Sequence, residues 1–258
     1  MQIQRQDHGA VALLTLDDPA SMNAVTPDDA AALADAIMDA QHSARAILLT
    51  GSGRAFCSGA NLAAPRLSPE GGPIDVGDAL ETHYNPLMQA LRDCRVPLVT
   101  AVNGAAAGIG ASIALMGDLI LASKDAYFLQ AFRRIGLVPD GGATYLLTRA
   151  IGRARAMELM LLGEKLPAET ALAWGLINRV AAAQDLMAQA LEIAQNLANG
   201  PTRALKLIRM AAWQGLDARW ETQLQRERLF QRDAGQSADF AEGVAAFFQK
   251  RPANFSGD

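Results

Sequence analysis

Val96-Pro-Leu-Val-Thr-Ala-Val-Asn-Gly-Ala-Ala-Ala-Gly-Ile-Gly-Ala-Ser-Ile-Ala-Leu-Met-Gly117 runs for 22 residues without a charged side chain. That is long enough to cross a bilayer as a helix. The residues inside it argue otherwise, because Pro97, Thr100, Asn103, Ser112 and four glycines (Gly104, Gly108, Gly110, Gly117) interrupt it. It divides into three pieces: Pro97–Val102 reads as a short buried strand, Asn103-Gly104 as a turn, and the run from Gly108 as a buried helix. Such a unit belongs inside an α/β protein, where helices pack on sheets.

The alternation extends in both directions. Upstream, Ala10–Leu16 alternates weakly as a strand, with Asp17-Asp18-Pro19 as a turn. Thr26-Pro27-Asp28-Asp29 opens a helix, with Thr as N-cap, Pro at the first helical position and acids in the first turn, and Ala30–Ala40 carries it. Ala46–Thr50 is a second apolar strand, ending at Gly51-Ser-Gly53; a Pro- and Gly-rich loop over 63–77 precedes a helix over Ala79–Asp93. Downstream, strands are expected at Leu119–Ala122 and Ala126–Phe128. After Pro139 only helices are expected: Asp140–Ala150, Arg153–Leu162 and Pro167–Trp174, with Gly163 and Gly175 as C-terminal caps, then Leu186–Asn199, Arg203–Trp213, Ala218–Arg232 and Ala238–Gln249. The predicted organisation is an α/β core over 1–199 and a helical region over 200–258.

Composition narrows the function. The 258 residues are 50% hydrophobic and 19% charged, which excludes a disordered chain. A net charge of −4 argues against a nucleic-acid duplex as partner. Two cysteines, Cys57 and Cys94, exclude a disulfide scaffold and a four-thiolate zinc site. The N-terminal residues hold no cationic start leading into an apolar run, so a soluble cytoplasmic protein without a membrane anchor is expected.

Gly104-Ala-Ala-Ala-Gly108-Ile-Gly110 invites a dinucleotide-binding reading. That reading needs the turn after the first strand, and a Tyr four residues before a Lys. Here the turn lies a hundred residues in, and the positions four after Tyr84, Tyr127 and Tyr145 hold Met88, Ala131 and Arg149. The better reading joins two glycine-bearing strand ends, Phe56-Cys-Ser-Gly-Ala-Asn61 and Asn103–Gly110. Small residues there leave backbone N–H groups bare at the start of a helical turn. Two such amides aimed at one point make an oxyanion hole for a thioester carbonyl.

With these segments in place the chain resembles the crotonase superfamily, the enoyl-CoA hydratase/isomerase family. The resemblance is carried, in order, by Pro19-Ala-Ser-Met-Asn-Ala-Val25, Gly51-Ser-Gly-Arg-Ala-Phe-Cys-Ser-Gly-Ala-Asn-Leu62, Arg95–Gly104 with its glycine helix, Gly136-Leu-Val-Pro-Asp-Gly-Gly142, Gly163-Glu-Lys-Leu-Pro-Ala168 and Ala173-Trp-Gly-Leu-Ile-Asn178. It implies repeated ββα turns with a helical C-terminal region for trimerisation, and assembly as a homotrimer or a dimer of trimers. It implies an acyl-CoA thioester as ligand, with no metal or redox cofactor, coenzyme A being part of the substrate. Matched residue by residue, the oxyanion amides would be those of Ser58 and Ile109. Ala24, Ala60, Asn61 and Leu62 would line the coenzyme A path, and Lys250 with Arg251 would help to hold its nucleotide. Ile109 stands where the family usually has Gly, which is expected to narrow the room beside the thioester.

The acid–base residues select the reaction. Hydratases of the family use two glutamates, and the matching positions here hold Ser112 and Phe132, neither of which moves a proton as a carboxylate does. Asp140, in Val138-Pro-Asp-Gly-Gly142, matches an aspartate of several family isomerases, including the ring-opening isomerases of phenylacetate degradation. An Asp before a helix is also an ordinary N-cap. The resemblance therefore implies an acyl-CoA isomerase with Asp140 as acid/base. The alternatives are an enoyl-CoA hydratase, a dehalogenase-like hydrolase using the same aspartate, and a catalytically silent acyl-CoA-binding protein. Glu70, Asp75, Asp78, Glu81 and His83 are expected at the surface, Cys57 as a small buried thiol, and Asp118 as a structural acid.

Overall fold

The computed structural model describes residues 1–62 and 75–258. β1 (Gln2–His8) and β2 (Val11–Asp17) form an antiparallel hairpin. α1 (Pro27–Ser43) starts as its sequence requires: Thr26 caps the Asp29 N–H and the Asp29 carboxylate returns to the Thr26 N–H. Then follow β3 (Ala46–Gly51), β4 (Ala55–Cys57), α2 (Val76–Ala79), a π-helical turn over Leu80–Tyr84, and α3 (Asn85–Asp93). β5 (Leu98–Val102), β6 (Ala105–Ala107), α4 (Ile109–Ala114), β7 (Leu119–Ser123) and β8 (Tyr127–Leu129) continue the chain. A 3₁₀ turn over Ala131–Ile135 leads to α5 (Ala143–Leu162), β9 (Lys165–Pro167), α6 (Ala168–Ala173) and β10 (Arg179–Ala181). The remainder is helical: α7 (Leu186–Ala198), α8 (Thr202–Gly215), α9 (Trp220–Ala234) and α10 (Ala238–Gln249).

Two sheets result, one in the order β1-β2-β3-β5-β7-β10 and one in the order β4-β6-β8-β9. Each ββα turn places its first strand in the large sheet and its second in the small one, as β3/β4, β5/β6 and β7/β8 show. This is the α/β architecture of repeated ββα turns with a helical C-terminal region that the resemblance implied. β3 and β5 are buried on both faces, so their alternate residues enter two cores. Ile47, Leu49 and Leu98 join the core under α1 and α3, whereas Leu48, Val99 and Ala101 meet Leu186, Ala190, Ala194 and Ala198 of α7.

The uncharged stretch forms the expected strand as β5 and the expected helix as α4, with β6, a short strand that was not expected, between them. No helix among the described residues is long and apolar enough to cross a membrane. The expectation that strands end at Pro139 is corrected by β9 and β10, three-residue strands that close the free edges of β8 and β7. The two helices expected over 140–162 both form, as the two arms of α5 on either side of a non-helical Gly152 (φ 75°, ψ 161°). Asp118 is structural as expected: its carboxylate accepts from the Leu98 N–H at 2.8 Å and from Arg209, a buried guanidinium on α8 that also donates to the Leu91 and Cys94 carbonyls.

Candidate functional site

β4 and β6 run parallel with Cys57 opposite Ala106, so the segments leaving their ends emerge as neighbours. At Gly59 (φ 110°) the approach is so close that a Cβ would stand 2.9 Å from the Ala107 carbonyl oxygen. Val25 then brackets Ala60 in a parallel bridge. The Val25 N–H donates to the Gly59 carbonyl at 2.8 Å, and the Val25 carbonyl accepts from the Asn61 N–H at 2.9 Å. A residue bracketed in this way turns its own N–H to the opposite side. The Ala60 N–H therefore points away from Val25 and finds no acceptor among the described residues. The Ile109 N–H, in the first turn of α4 where helical amides have no internal partner, is free in the same sense.

Ser58 requires a correction. Its N–H donates to the Met22 carbonyl at 3.0 Å, and its hydroxyl to the Ser21 carbonyl at 3.1 Å. The cause is the loop over 18–25, where Met22 and Asn23 both take left-handed backbone (φ 58° and 57°). Asn23 is fully buried; its amide donates to the carbonyls of Ala55 at 2.8 Å and Ser52 at 3.0 Å, and its oxygen accepts from the Asp18 N–H at 2.8 Å. These bonds fasten the loop across β4 and deliver the Met22 carbonyl to Ser58. Among the described residues the amide left without an acceptor on this segment is that of Ala60, two residues later.

Ala24, Ala60, Asn61 and Leu62 lie together along the edge that Val25 stitches, the first three half-buried and Leu62 exposed. Lys250 is elsewhere, exposed at the C-cap of α10, and no hydrogen bond or ion pair among the described residues ties it to that edge. Arg251 is engaged by Glu242 through contacts of 2.6 and 2.8 Å.

Asp140 sits on the turn before α5. The Asp140 carbonyl accepts from the Ser112 hydroxyl at 3.0 Å and from the Ala143 N–H at 3.0 Å. Gly141 (φ 56°) lies so tightly on α4 that a Cβ would overlap the Ile109 Cδ1 and stand 2.9 Å from the Ser112 Cβ. The Ile109 side chain thus fills the wall beneath the Asp140 turn. The Asp140 side chain does not cap α5: the N-cap is Gly142, and no side chain donates or accepts there. Its Oδ1 is buried with no hydrogen-bond partner among the described residues. Burial pushes the carboxyl up to about 6.

The other groups divide simply. Phe132 is buried with its ring against Gly108. Cys57 is a buried thiol pushed up to about 12 by desolvation, so it remains protonated and unreactive. Asp75, Asp78 and Glu81 are exposed and His83 half-buried, with Asp75 capping the Gly77 N–H and His83 meeting the Thr82 hydroxyl; Glu70 lies outside the described residues. Sequence reading missed Asn23 and Tyr84. Asn23 carried a usable signal, since Asn is, after Gly, among the residues most at ease in left-handed backbone. Tyr84 carried none, because its partner is 59 residues away. A cavity of about 880 Å³ between α3, the start of α5 and α8 reaches the Asp140 turn through Gly141 and Gly142, with Met88, Met116, Met210 and Trp213 in its wall.

Comparison with known proteins identifies the family. The enoyl-CoA hydratase/isomerase family profile matches residues 6–258. The chain is 43% identical over 249 residues to the 1,2-epoxyphenylacetyl-CoA isomerase of Escherichia coli, covering 96% of this chain and 95% of that protein. It is 44% identical over 247 residues to a probable enoyl-CoA hydratase of Rhodobacter capsulatus, again covering 96% and 95%. The crystal structure of an enoyl-CoA hydratase subunit from Geobacillus kaustophilus superposes with a TM-score of 0.92 at 33% identity, covering 100% of this chain and 99% of that one. Matched from end to end in sequence and in fold, the chain is an enzyme of the enoyl-CoA hydratase/isomerase family.

Proposed function

We propose that this enzyme is an acyl-CoA isomerase. The Ala60 and Ile109 amides receive the thioester oxygen, and Asp140 moves the proton. With a 3-enoyl thioester, Asp140 takes a proton from C2 and the electron pair passes onto the thioester oxygen as a dienolate. The same carboxylic acid then returns the proton at C4, which leaves the 2-enoyl isomer and the original carboxylate. A strained ring beside an enolisable thioester would open through the same enolate. The electron sink is the thioester itself, so coenzyme A enters as part of the substrate and the chemistry asks for no further cofactor.

The observation that carries this reading is the half-buried Asp140 carboxyl, whose Oδ1 is enclosed without a hydrogen-bond partner among the described residues and which desolvation raises toward neutrality, where a general base works best. The identity to an isomerase in Escherichia coli supports it, and so does the absence of a carboxylate at Ser112 and Phe132. The cavity beside Gly141 mixes charged side chains such as Arg92, Asp93 and Arg95 with Met88, Met116, Met210 and Trp213, and this apolar part of its wall suits the distal part of an acyl group. The same reading has a cytoplasmic homotrimer or dimer of trimers. Two free buried thiols support the compartment, and large apolar side chains at Trp220, Phe247 and Phe248, at least 71% exposed, support the assembly.

The test is Asp140→Asn. Isomerisation of an enoyl-CoA panel and deuterium exchange from solvent should both collapse, while calorimetric affinity for a saturated acyl-CoA holds. Wild-type protein that binds acyl-CoA but neither isomerises nor exchanges would instead be a binding protein.

A further inference from the structure

Tyr84 closes the π-helical turn over Leu80–Tyr84 and is 5% exposed. π-Helical turns recur at functional sites, where the additional residue re-aims a side chain. Here Tyr84 stands in phase with Leu87 and Leu91, the buried stripe of α3, so its ring packs in the core and carries its hydroxyl across to the far wall. The hydroxyl donates to the Val25 carbonyl at 2.9 Å, a bond wholly removed from water. That carbonyl is also the acceptor of the Asn61 N–H. One oxygen, using both lone pairs, therefore joins the helix beside the site to the strand that carries Ala60. The Asp140 charge lies within electrostatic reach of the same phenol and contributes, after burial, to holding its proton on.

We propose that Tyr84 is a positioning residue: its hydroxyl, through the Val25 carbonyl shared with Asn61, fixes the direction of the Ala60 N–H that receives the thioester oxygen. The inference rests on the assignment of Ala60 and Ile109 as the oxyanion pair. A phenylalanine would fill the same volume, so the hydroxyl is the part that requires an explanation. A buried hydrogen bond adds modest stability wherever it is made. This one ends on the carbonyl that anchors the Ala60–Asn61 peptide, the neighbour of the peptide whose N–H must aim at a developing charge, where small misplacements weaken catalysis steeply.

The experiment reads the carbonyl stretch of bound [1-¹³C]hexanoyl-CoA by infrared difference spectroscopy, alongside kcat and KM on an enoyl-CoA substrate. In the wild type the band should fall below its solution position. Tyr84→Phe should return part of that fall and lower kcat about tenfold, with KM nearly unchanged. Site-specific 3-fluorotyrosine at 84, a stronger donor of similar size, should move the band further down. A Tyr84→Phe protein with wild-type band and kcat overturns the inference, whatever its melting temperature, and an unmoved band in the fluorinated protein does the same. A wild-type band that stays at its solution position overturns the oxyanion pair itself, which separates the two failures.

Discussion

The Ser112 hydroxyl donates to the Asp140 backbone carbonyl at 3.0 Å, so the residue at the first hydratase position holds the turn that carries the remaining acid. Ser112 is fully buried and the carbonyl keeps only the Ala143 N–H when that donor is lost. Ser112→Ala should cost about 1 kcal/mol of stability. It should also lower kcat several-fold and move the acid limb of the rate profile downward, because a looser turn lets water reach the carboxylate. A profile identical to wild type would make the bond purely structural.

Asp140 should weaken the fold at neutral pH. Its carboxyl is raised to about 6 in the folded chain against 3.8 for an unperturbed aspartate. Below both values the acid is neutral folded and unfolded, and burial carries no penalty. As pH rises through about 6 the folded chain must hold a poorly hydrated charge, and stability is lost. Asp140→Asn should therefore melt above wild type at pH 8 by on the order of 1–2 kcal/mol, after allowance for partial exposure, with the gap closing toward pH 4. Equal melting at both pH values would count against the burial effect.

Hydration of crotonyl-CoA should be feeble. Ser112 and Phe132 cannot activate water, and loss of one placed acid–base group typically lowers a rate by about 10² to 10⁴. Brisk hydration by the wild-type enzyme would require an acid from another segment.

Lys250 and Arg251 should behave differently toward the coenzyme A nucleotide. Arg251 is held by Glu242, whose carboxyl that guanidinium keeps down at about 2. Lys250 is exposed and engages no acid among the described residues. Lys250→Ala should weaken coenzyme A binding a few-fold at low ionic strength, the difference fading as salt screens it. Calorimetry at two salt concentrations checks this; affinity indifferent to both salt and substitution would make Lys250 an ordinary surface charge.

Long elements with a local signature were legible in the chain. α1 announces itself through Thr26-Pro27-Asp28-Asp29, and β3 and β5 through runs of branched apolar residues. Most short strands were not, β8 being the exception that was expected to within one residue. Ala105-Ala-Ala107 has neither alternation nor branching, and becomes β6 only because β4 and β8 flank it. Likewise Gln2–His8 is mostly exposed and polar, an edge strand fixed by pairing with β2. In the site, Asp140 and Ile109 stood out from their surroundings in sequence. The choice between the Ser58 and Ala60 amides did not, because it depends on where a loop 35 residues earlier delivers its carbonyls.

The pairing of β4 with β6 sets a ruler. Peptides on adjacent strands stand about 4.8 Å apart, and an amide donor prefers its acceptor at about 2.9 Å. Two donors one strand apart can thus share a single oxygen, seen from it at an angle of about 110°. In the proposed pair of Ala60 and Ile109 both donors are backbone groups just beyond that ladder, so exchanging neighbouring side chains would leave such a seat in place. Reaction type can then drift from one acid to another along the rim while the seat itself stays constant.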